Sequence, residues 1–221
     1  MPRTHEDRQR HTPTDHHAGG PILTFAPNAW WAIDVVHVAA NRADAGIAAY
    51  ETLIEKARTS AAKAHASVVL RSTNHRRVIA LVHLDGHENF KHLASSWDDH
   101  HLSSERHAVA ESSSLAFYRT ALVWGDATLD PASTDACAFE HINHKSEALR
   151  ALSAPVAAAR GFRGATLFGT DDDGASAILY HFTHIEEIEA FRATPEALRI
   201  LGPVDATGDT FYPVHVIRTF A

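Results

Sequence analysis

One strand–turn–helix pattern occurs twice in this chain, and no other feature limits its fold as strongly. Residues 76–94 combine an apolar run, an Asp-Gly turn and an apolar stripe at helical spacing, and residues 176–192 repeat the pattern. His83 lies near the end of the first apolar run, and His181 holds the same place in the second. The repeat indicates an internal duplication, and a duplication limits the possible folds more strongly than any local secondary-structure prediction.

Two further pairs of landmarks keep the same order around the repeated pattern. They are His37 with His141 before it and Phe117-Tyr118 with Phe211-Tyr212 after it. Because the order is kept, we predict that the duplication covers nearly the whole chain and that the second copy is the shorter one.

The first copy is predicted to have the element order β-α-β-β-α-β. The spacing of β-branched, aromatic and turn residues predicts strands over 29–39, 68–72, 76–84 and 115–124, and helices over 44–64 and 86–94. Asp44 is predicted to cap the first helix. An insertion at 95–114 separates the second helix from the last strand.

The second copy is predicted to repeat this order after a linker at 126–135. Its strands are expected over 137–143, 164–169, 176–183 and 211–220, and its helices over 146–160, from 185 and from 195. Pro155 should kink or break the first of these helices, and Gly161 should end it. The chain then divides into a disordered polar tail (1–21), a first repeat (22–125), the linker and a second repeat (136–221).

Each copy is predicted to be a ferredoxin-like unit, in which both helices cover one face of an antiparallel sheet. The other face, if apolar, must pack on a second sheet, and the other copy supplies that sheet within the same chain. The predicted fold class is therefore α+β, with two tandem ferredoxin-like repeats forming a dimeric-type α/β barrel in one chain. The sequence leaves homodimerisation of whole chains open.

Composition excludes several classes of partner. The 221 residues carry a net charge of −7 with histidine neutral, so nucleic acid is not an expected partner. No apolar run approaches the roughly 20 residues of a membrane helix, so no membrane contact is expected. Cys137 is the single cysteine, which suits a reducing, cytoplasmic location.

Histidines at strand ends are the candidate catalytic residues. Strand alternation places His37 on the same face as Ile33, and His83 on the same face as Leu81. A polar ring among aliphatic side chains must find a partner or line a cavity. For a single histidine the structural interpretation is the stronger one, and matched histidines in both copies strengthen the case for a cavity at His83 or His181.

The insertion offers metal-ligand residue types without a metal-binding pattern. The residues concerned are Asp98, Asp99, His100, His101 and His107. Neighbouring residues on a helix point in different directions, so these side chains would not converge on one ion, and we predict no metal site. Trp97 in the insertion could form the wall of a ligand pocket or could cap the core.

The helix after the third strand carries Phe90-Lys91-His92-Leu93-Ala94-Ser95-Ser96. This stretch resembles the AFxxHLxS motif of the antibiotic-biosynthesis monooxygenases, and the predicted element order is similar to that of their dimeric α/β barrel. The resemblance covers residues 30–221 as two fused copies. The second copy has Ala190-Phe191-Arg192-Ala193-Thr194 at the corresponding place and lacks the matching histidine.

The resemblance implies an oxygenase that acts on a polycyclic aromatic polyketide, either a hydroxy-anthrone or an angucycline-type hydroquinone. It implies molecular oxygen as a substrate and no tightly bound cofactor, with reduced FAD or FMN as an optional co-substrate from a flavin reductase. His83 or His181 is expected to act as base, with His92 as a further catalytic polar group. The expected substrate-binding residues are Trp97, His37, His101, Tyr180 and His215. His83→Ala is then expected to lower turnover about a hundredfold or more.

Three other functions stay open at the level of sequence. Chlorite-dismutase-like proteins and aldoxime dehydratases also fuse two ferredoxin-like halves, and their haem needs an axial histidine, for which His181, His184 and His215 are candidates. A non-catalytic barrel that binds an aromatic intermediate is the second alternative. A stress-response or quinol-handling barrel protein is the third.

Overall fold

The computed structural model describes residues 22–59, 62–98, 110–142, 146–170, 176–203, 211–213 and 218–220. Within these ranges the strands are β1 (Leu23–Thr24), β2 (Trp30–Val38), β3 (Ser67–Arg71), β4 (Arg77–Leu84), β5 (Ala110–Gly125), β6 (Thr128–Leu129), β7 (Ala136–Ile142), β8 (Phe162–Gly169), β9 (Ser176–Phe182), β10 (Phe211–Pro213) and β11 (Arg218–Phe220). The α-helices of the same ranges are α1 (Ala43–Thr59), α2 (His87–Asp98), α3 (Ser146–Ala158), α4 (Ile185–Arg192) and α5 (Pro195–Leu201).

Nine strands form one antiparallel sheet in the order β10-β7-β9-β8-β5-β2-β4-β3-β11. Numbered within each half of the chain, the strands of both halves follow the order fourth-first-third-second, which is that of a ferredoxin-like unit. The α+β class and the ferredoxin-like arrangement are therefore confirmed. The descent of the halves from one ancestral sequence, and the domain boundaries, stay predictions.

The two halves are joined at two places, along β5 and at β11. β5 pairs with β2 as far as Arg119 and then with β8 from Arg119 to Gly125. β10 and β11 pair with β7 and β3 at opposite edges of the sheet, although only four residues separate them. A connection of that length spans at most about 18 Å, so the two edges meet and the sheet closes into a barrel.

Alternation along the strands separates a barrel interior from two outer layers. One buried cluster inside the barrel contains side chains of both halves. The opposite face of the first half packs against α1 and α2, and that of the second half against α3, α4 and α5. β4 and β9 are therefore buried on both faces, which explains their nearly continuous apolar runs.

Aromatic rings fill the centre of the barrel. Trp31, Tyr118, Phe139 and Phe168 are all buried there, and Phe25 inserts from the segment before β2. The ring centroids of Trp31 and Phe168 lie 6.5 Å apart, and those of Phe25 and Trp31 lie 4.9 Å apart. The centre between these rings is packed rather than hollow, so a ligand must bind nearer to a barrel end or outside the barrel.

The ends of several elements differ from their predicted positions. α1 begins after a 3-10 turn at Ala40–Arg42, so Asp44 lies in its first turn, where the carboxylate accepts a hydrogen bond from Arg71 at 2.6 Å. α2 continues to Asp98 and β5 begins at Ala110, which shortens the predicted insertion at both ends. Capping and pairing to distant strands set these boundaries, and local periodicity does not report them.

The region predicted as a linker takes part in the fold, and the predicted break at Pro155 does not occur. β6 lies in the linker and pairs with β1 as a separate two-stranded sheet. α3 continues through Pro155 to Ala158, and Gly161 follows with a φ of 72°. No helix in the described part of the chain is both long and apolar enough to cross a membrane.

Candidate functional site

The histidines predicted as catalytic residues lie at three separate places. His83 and His181 are near the ends of β4 and β9 and face the barrel, whereas His92 is exposed on α2. The structure therefore does not bring His92 together with either of them. Trp97 lies in the last turn of α2, but its side chain is not described. His101 and His215 lie outside the described residues.

Tyr180 faces the helices rather than the barrel. Its hydroxyl donates a hydrogen bond to Glu140, whose Oε1 atom lies 2.8 Å from Nε of the buried Arg192. Successive residues of a strand point to opposite faces, so Tyr180 and its neighbour His181 belong to different layers. The prediction that Tyr180 lines the same pocket as the histidines does not fit this position.

His181 is buried beside a carboxylate. Its Nε2 atom lies 3.4 Å from Asp135 Oδ2, and only 5% of the residue is exposed. Burial lowers the pKa of His181 despite the opposing effect of Asp135. The adjoining cavity, lined also by Thr166 and Phe25, has a volume of about 10 Å³, which admits at most one water molecule. A polycyclic substrate does not fit there.

His181→Gln should weaken the pH dependence of stability. An unfolded histidine binds a proton near pH 6.5, but buried His181 does so only at lower pH. The wild-type protein therefore loses stability as the pH falls below 6.5, by up to about 1.4 kcal/mol per pH unit from this group. Denaturant unfolding should show that the free energy of unfolding decreases less between pH 7 and pH 5.5 in the variant than in the wild type. His92→Gln, on the exposed face of α2, serves as the control, and its free energy of unfolding should decrease as much as that of the wild type.

His83 is half-buried and stacks on Trp31, with ring centroids 5.0 Å apart. The ring of His65 lies 5.4 Å away, and its Nε2 atom contacts the carboxylate of Asp85. Burial, reinforced by His65, lowers the pKa of His83, so the ring is neutral at pH 7. His83 is accessible enough to act as a base, but Trp31 covers one face of its ring.

Four polar side chains lie on the barrel-facing side of β2, β4, β5 and β7 and form two contacting pairs, His37 with Arg77 and Tyr118 with His141. We call this group the basic mouth. Arg77 Nη2 lies 3.4 Å from His37 Nε2, and the Tyr118 hydroxyl lies 3.3 Å from His141 Nδ1. The first half supplies three of these residues and the second half supplies His141, so the mouth forms only where the halves join.

The basic mouth is open to solvent. Ser112 and Ser114 are exposed, although they pair directly with His37 and Val35 and therefore share the barrel-facing side. His37 and Arg77 are partly exposed, and His141 is exposed over part of its ring. A small molecule can therefore reach His37, Arg77 and His141, whereas Tyr118 is buried among the core rings.

The electrostatics of the mouth favour neutral histidine. Partial burial and the positive charge of Arg77 lower the pKa of His141 below 6.5. Burial raises the pKa of Tyr118 above 10, so its hydroxyl keeps its proton at pH 7. A neutral imidazole, a phenol and a fixed cation together can accept a proton and stabilise the anion that results.

Sequence reasoning noted three of these four positions but assigned only His37 to the site. His37 and His141 were recognised as matched strand-end histidines, and Tyr118 served as a landmark of the repeat. Arg77 was missed, although its signal was present: it alternates with Ile79, Leu81 and His83 on one face of β4. A charged residue on the buried face of a strand is unusual and indicates a site.

The described residues do not fit a resident metal or haem. They contain no group of three or more histidine, cysteine, aspartate or glutamate side chains that could hold a metal ion. His181 has no room beside it for a porphyrin. His184 is exposed and lies with Glu186 and Glu187 along an open groove of about 480 Å³, which is not the enclosed apolar cavity that haem occupies.

Comparison with known proteins identifies the fold but gives no match by sequence. A solved structure described as an anthrone oxidase-like protein has a TM-score of 0.68 at 14% identity, over 90% of this chain and 96% of that chain. A monooxygenase-like protein from Listeria innocua has a TM-score of 0.45 at 11% identity, over 84% and 94%. A mutant chlorite dismutase from Candidatus Nitrospira defluvii has 0.49 at 11% identity, over 89% and 92%.

The last two TM-scores lie below 0.5, where a common fold is not established. No protein-family model matches the sequence, and no curated protein matches it significantly. The likeness to the anthrone oxidase-like protein confirms the predicted barrel at the level of fold.

Proposed function

We propose that this protein is an oxygenase that oxidises a planar, hydroxylated aromatic compound of the anthrone type at the basic mouth. The observation that carries the proposal is the 3.3 Å contact between the solvent-exposed His141 and the hydroxyl of the buried Tyr118. A proton acceptor is what the oxidation of an anthrone needs most. The likeness in fold to an anthrone oxidase-like protein supports the same chemistry.

The proposed reaction starts with proton removal. With its hydrogen on Nδ1 and donated to the Tyr118 oxygen, neutral His141 keeps the lone pair of Nε2 for the substrate. Nε2 takes a proton from the methylene carbon of the anthrone, and the resulting carbanion passes an electron to oxygen. The carbon radical and superoxide combine to a peroxide anion, which takes the proton back from His141 to give a hydroperoxide, and the hydroperoxide loses water to leave a carbonyl. The methylene and O₂ thus become a carbonyl and water, and the substrate supplies all four electrons.

This balance requires no flavin. Ring hydroxylation of an angucycline-type hydroquinone with reduced FAD or FMN is the alternative, because one oxygen atom then leaves as water at the expense of two flavin electrons. A flavin reductase would be a partner only in that case. The presence or absence of a flavin requirement therefore separates the two substrate classes.

Oxygen uptake with 1,8-dihydroxyanthrone tests the proposal. The purified protein should consume one O₂ for each anthraquinone formed, faster than the spontaneous reaction and without added flavin. Saturable binding of the compound with no uptake above background would identify a binding protein instead. Uptake only after addition of reduced flavin would favour the ring hydroxylase.

A further inference from the structure

Arg77 differs from the other shielded arginines of this structure. Among the described arginines that are not exposed, Arg71 pairs with Asp44 at 2.6 Å and Arg192 pairs with Glu140 at 2.8 Å. Arg77 has no carboxylate partner among the described residues. Its Nη2 atom lies 3.4 Å from Nε2 of His37. The buried Nε atoms of Arg77 and Arg192 both lack a hydrogen bond of good geometry, but that of Arg192 lies beside a carboxylate and that of Arg77 does not.

A buried guanidinium donor without an acceptor destabilises the folded state. Burial of a charge is normally offset by an opposite charge or by hydrogen bonds. Among the described residues, the carboxylate influenced by the charge of Arg77 is Glu140, which faces the helices and already pairs with Arg192 and Tyr180. The side chain that contacts Arg77, His37, is an imidazole. An anionic group of a ligand that enters from solvent would supply the partner that the described residues do not.

We infer that Arg77 binds a carboxylate of the ligand, and that the ligand of the basic mouth is a planar aromatic carboxylic acid. This inference rests on the proposed function for the aromatic part of the molecule, and on Arg77 for the acid. A planar guanidinium fork matches the two oxygens of a carboxylate. The one fixed positive charge of Arg77 balances a singly charged carboxylate better than a doubly charged phosphate.

Because of the position of Arg77, a bound carboxylate would orient the ring system of the ligand. Arg77 belongs to β4 in the first half and His141 to β7 in the second half, and the charge of Arg77 is close enough to lower the pKa of His141. A carboxylate held by Arg77 therefore places the attached ring system next to the proposed base. It would also fix which edge of the ring system His141 reaches.

Binding of an unreactive pair of ligands tests this inference. Anthraquinone-2-carboxylate and the neutral anthraquinone-2-carboxamide have nearly the same shape, and titration calorimetry measures both. The wild-type protein should bind the carboxylate at least about tenfold more tightly, as expected for charge-assisted hydrogen bonds. Arg77→Gln should abolish that preference, and Arg77→Lys should retain part of it.

Arg76→Gln is the matched control, because Arg76 is the adjacent arginine and is exposed. It should keep the full preference. Equal affinity of the wild type for both ligands, or an undiminished preference in Arg77→Gln, would overturn the inference. The wild-type comparison decides the matter even if Arg77→Gln does not fold.

Because neither ligand reacts, the result does not depend on oxygenase activity. A preference that requires Arg77 in a protein that consumes no oxygen would uphold the carboxylate site and reject the proposed function. Oxygen uptake at equal rates with neutral and carboxylated anthrones, unchanged in Arg77→Gln, would uphold the proposed oxygenase function and reject the carboxylate site.

Discussion

His141→Ala should lower oxygen uptake with 1,8-dihydroxyanthrone by about a hundredfold or more, the usual contribution of a positioned general base. The loss should appear in kcat, because the imidazole is proposed to act on the reacting carbon rather than to hold the ring system. Binding of anthraquinone-2-carboxylate should change little. The unfolding midpoint should stay near that of the wild type, since His141 is partly exposed.

The pH profile distinguishes the base from a structural residue. The pKa of His141 is lowered, so its neutral form persists below pH 6.5. Activity in the wild type should rise through a pKa under 6.5 and be constant at neutral pH. Tyr118→Phe should lower the rate less than His141→Ala does, because it removes only the hydrogen bond that orients the ring.

His83→Ala decides between the site found in the structure and the site expected from the sequence. If the basic mouth is the reaction site, this variant should keep its activity within a few-fold. A hundredfold loss of activity in His83→Ala, with normal activity in His141→Ala, would show that the reaction site is the barrel end beside Trp31 and His83.

Arg192→Met should reduce the free energy of unfolding by about 3–5 kcal/mol, the usual cost of leaving one partner of a buried ion pair uncompensated. Arg192 is 2% exposed, and Glu140 and Tyr180 lie beside it between the sheet and the helices. The guanidinium also donates to the carbonyl oxygen of Gly202 at 3.2 Å, which ties α5 to α4. For a chain of this size the loss corresponds to a melting temperature lower by roughly 10 °C.

The double variant Glu140→Leu with Arg192→Met is the control. Removing both charges leaves no uncompensated ion, so most of the lost stability should return. If the single variant matches the wild type in denaturant unfolding, the pair contributes nothing and the ion pair is not what holds α4 against β7. Glu55→Gln, in an exposed pair with Arg58 on α1, should change stability by less than about 1 kcal/mol.

Most elements could be predicted from the sequence because local periodicity encodes them. The alternation in β4 placed Ile79, Leu81 and His83 on one face, and the structure has all three on the barrel side. The order of the strands within each half followed from the ferredoxin-like pattern. Element ends were less accurate, as with α2 and β5, because distant contacts set them.

His37 and His141, which the repeat pairs with each other, do not occupy equivalent positions in the two halves. His37 stands opposite Arg77, six residues before His83, whereas His141 stands opposite Ala177, four residues before His181. The two residues therefore occupy different depths in the barrel. Collinear landmarks do not show a difference of this kind, because loops of different length absorb it.

Local patterns in the sequence were enough to predict the element order, the two faces of each sheet and the matched histidines at strand ends, because these depend on neighbours a few residues apart. The tertiary structure was needed to show that rings of both halves fill the barrel centre and that Arg77 pairs with His37, and Tyr118 with His141, across separate strands. Side chains from separate strands converge only when pairing registers and barrel closure are fixed. Those depend on contacts between distant segments, which no local pattern contains.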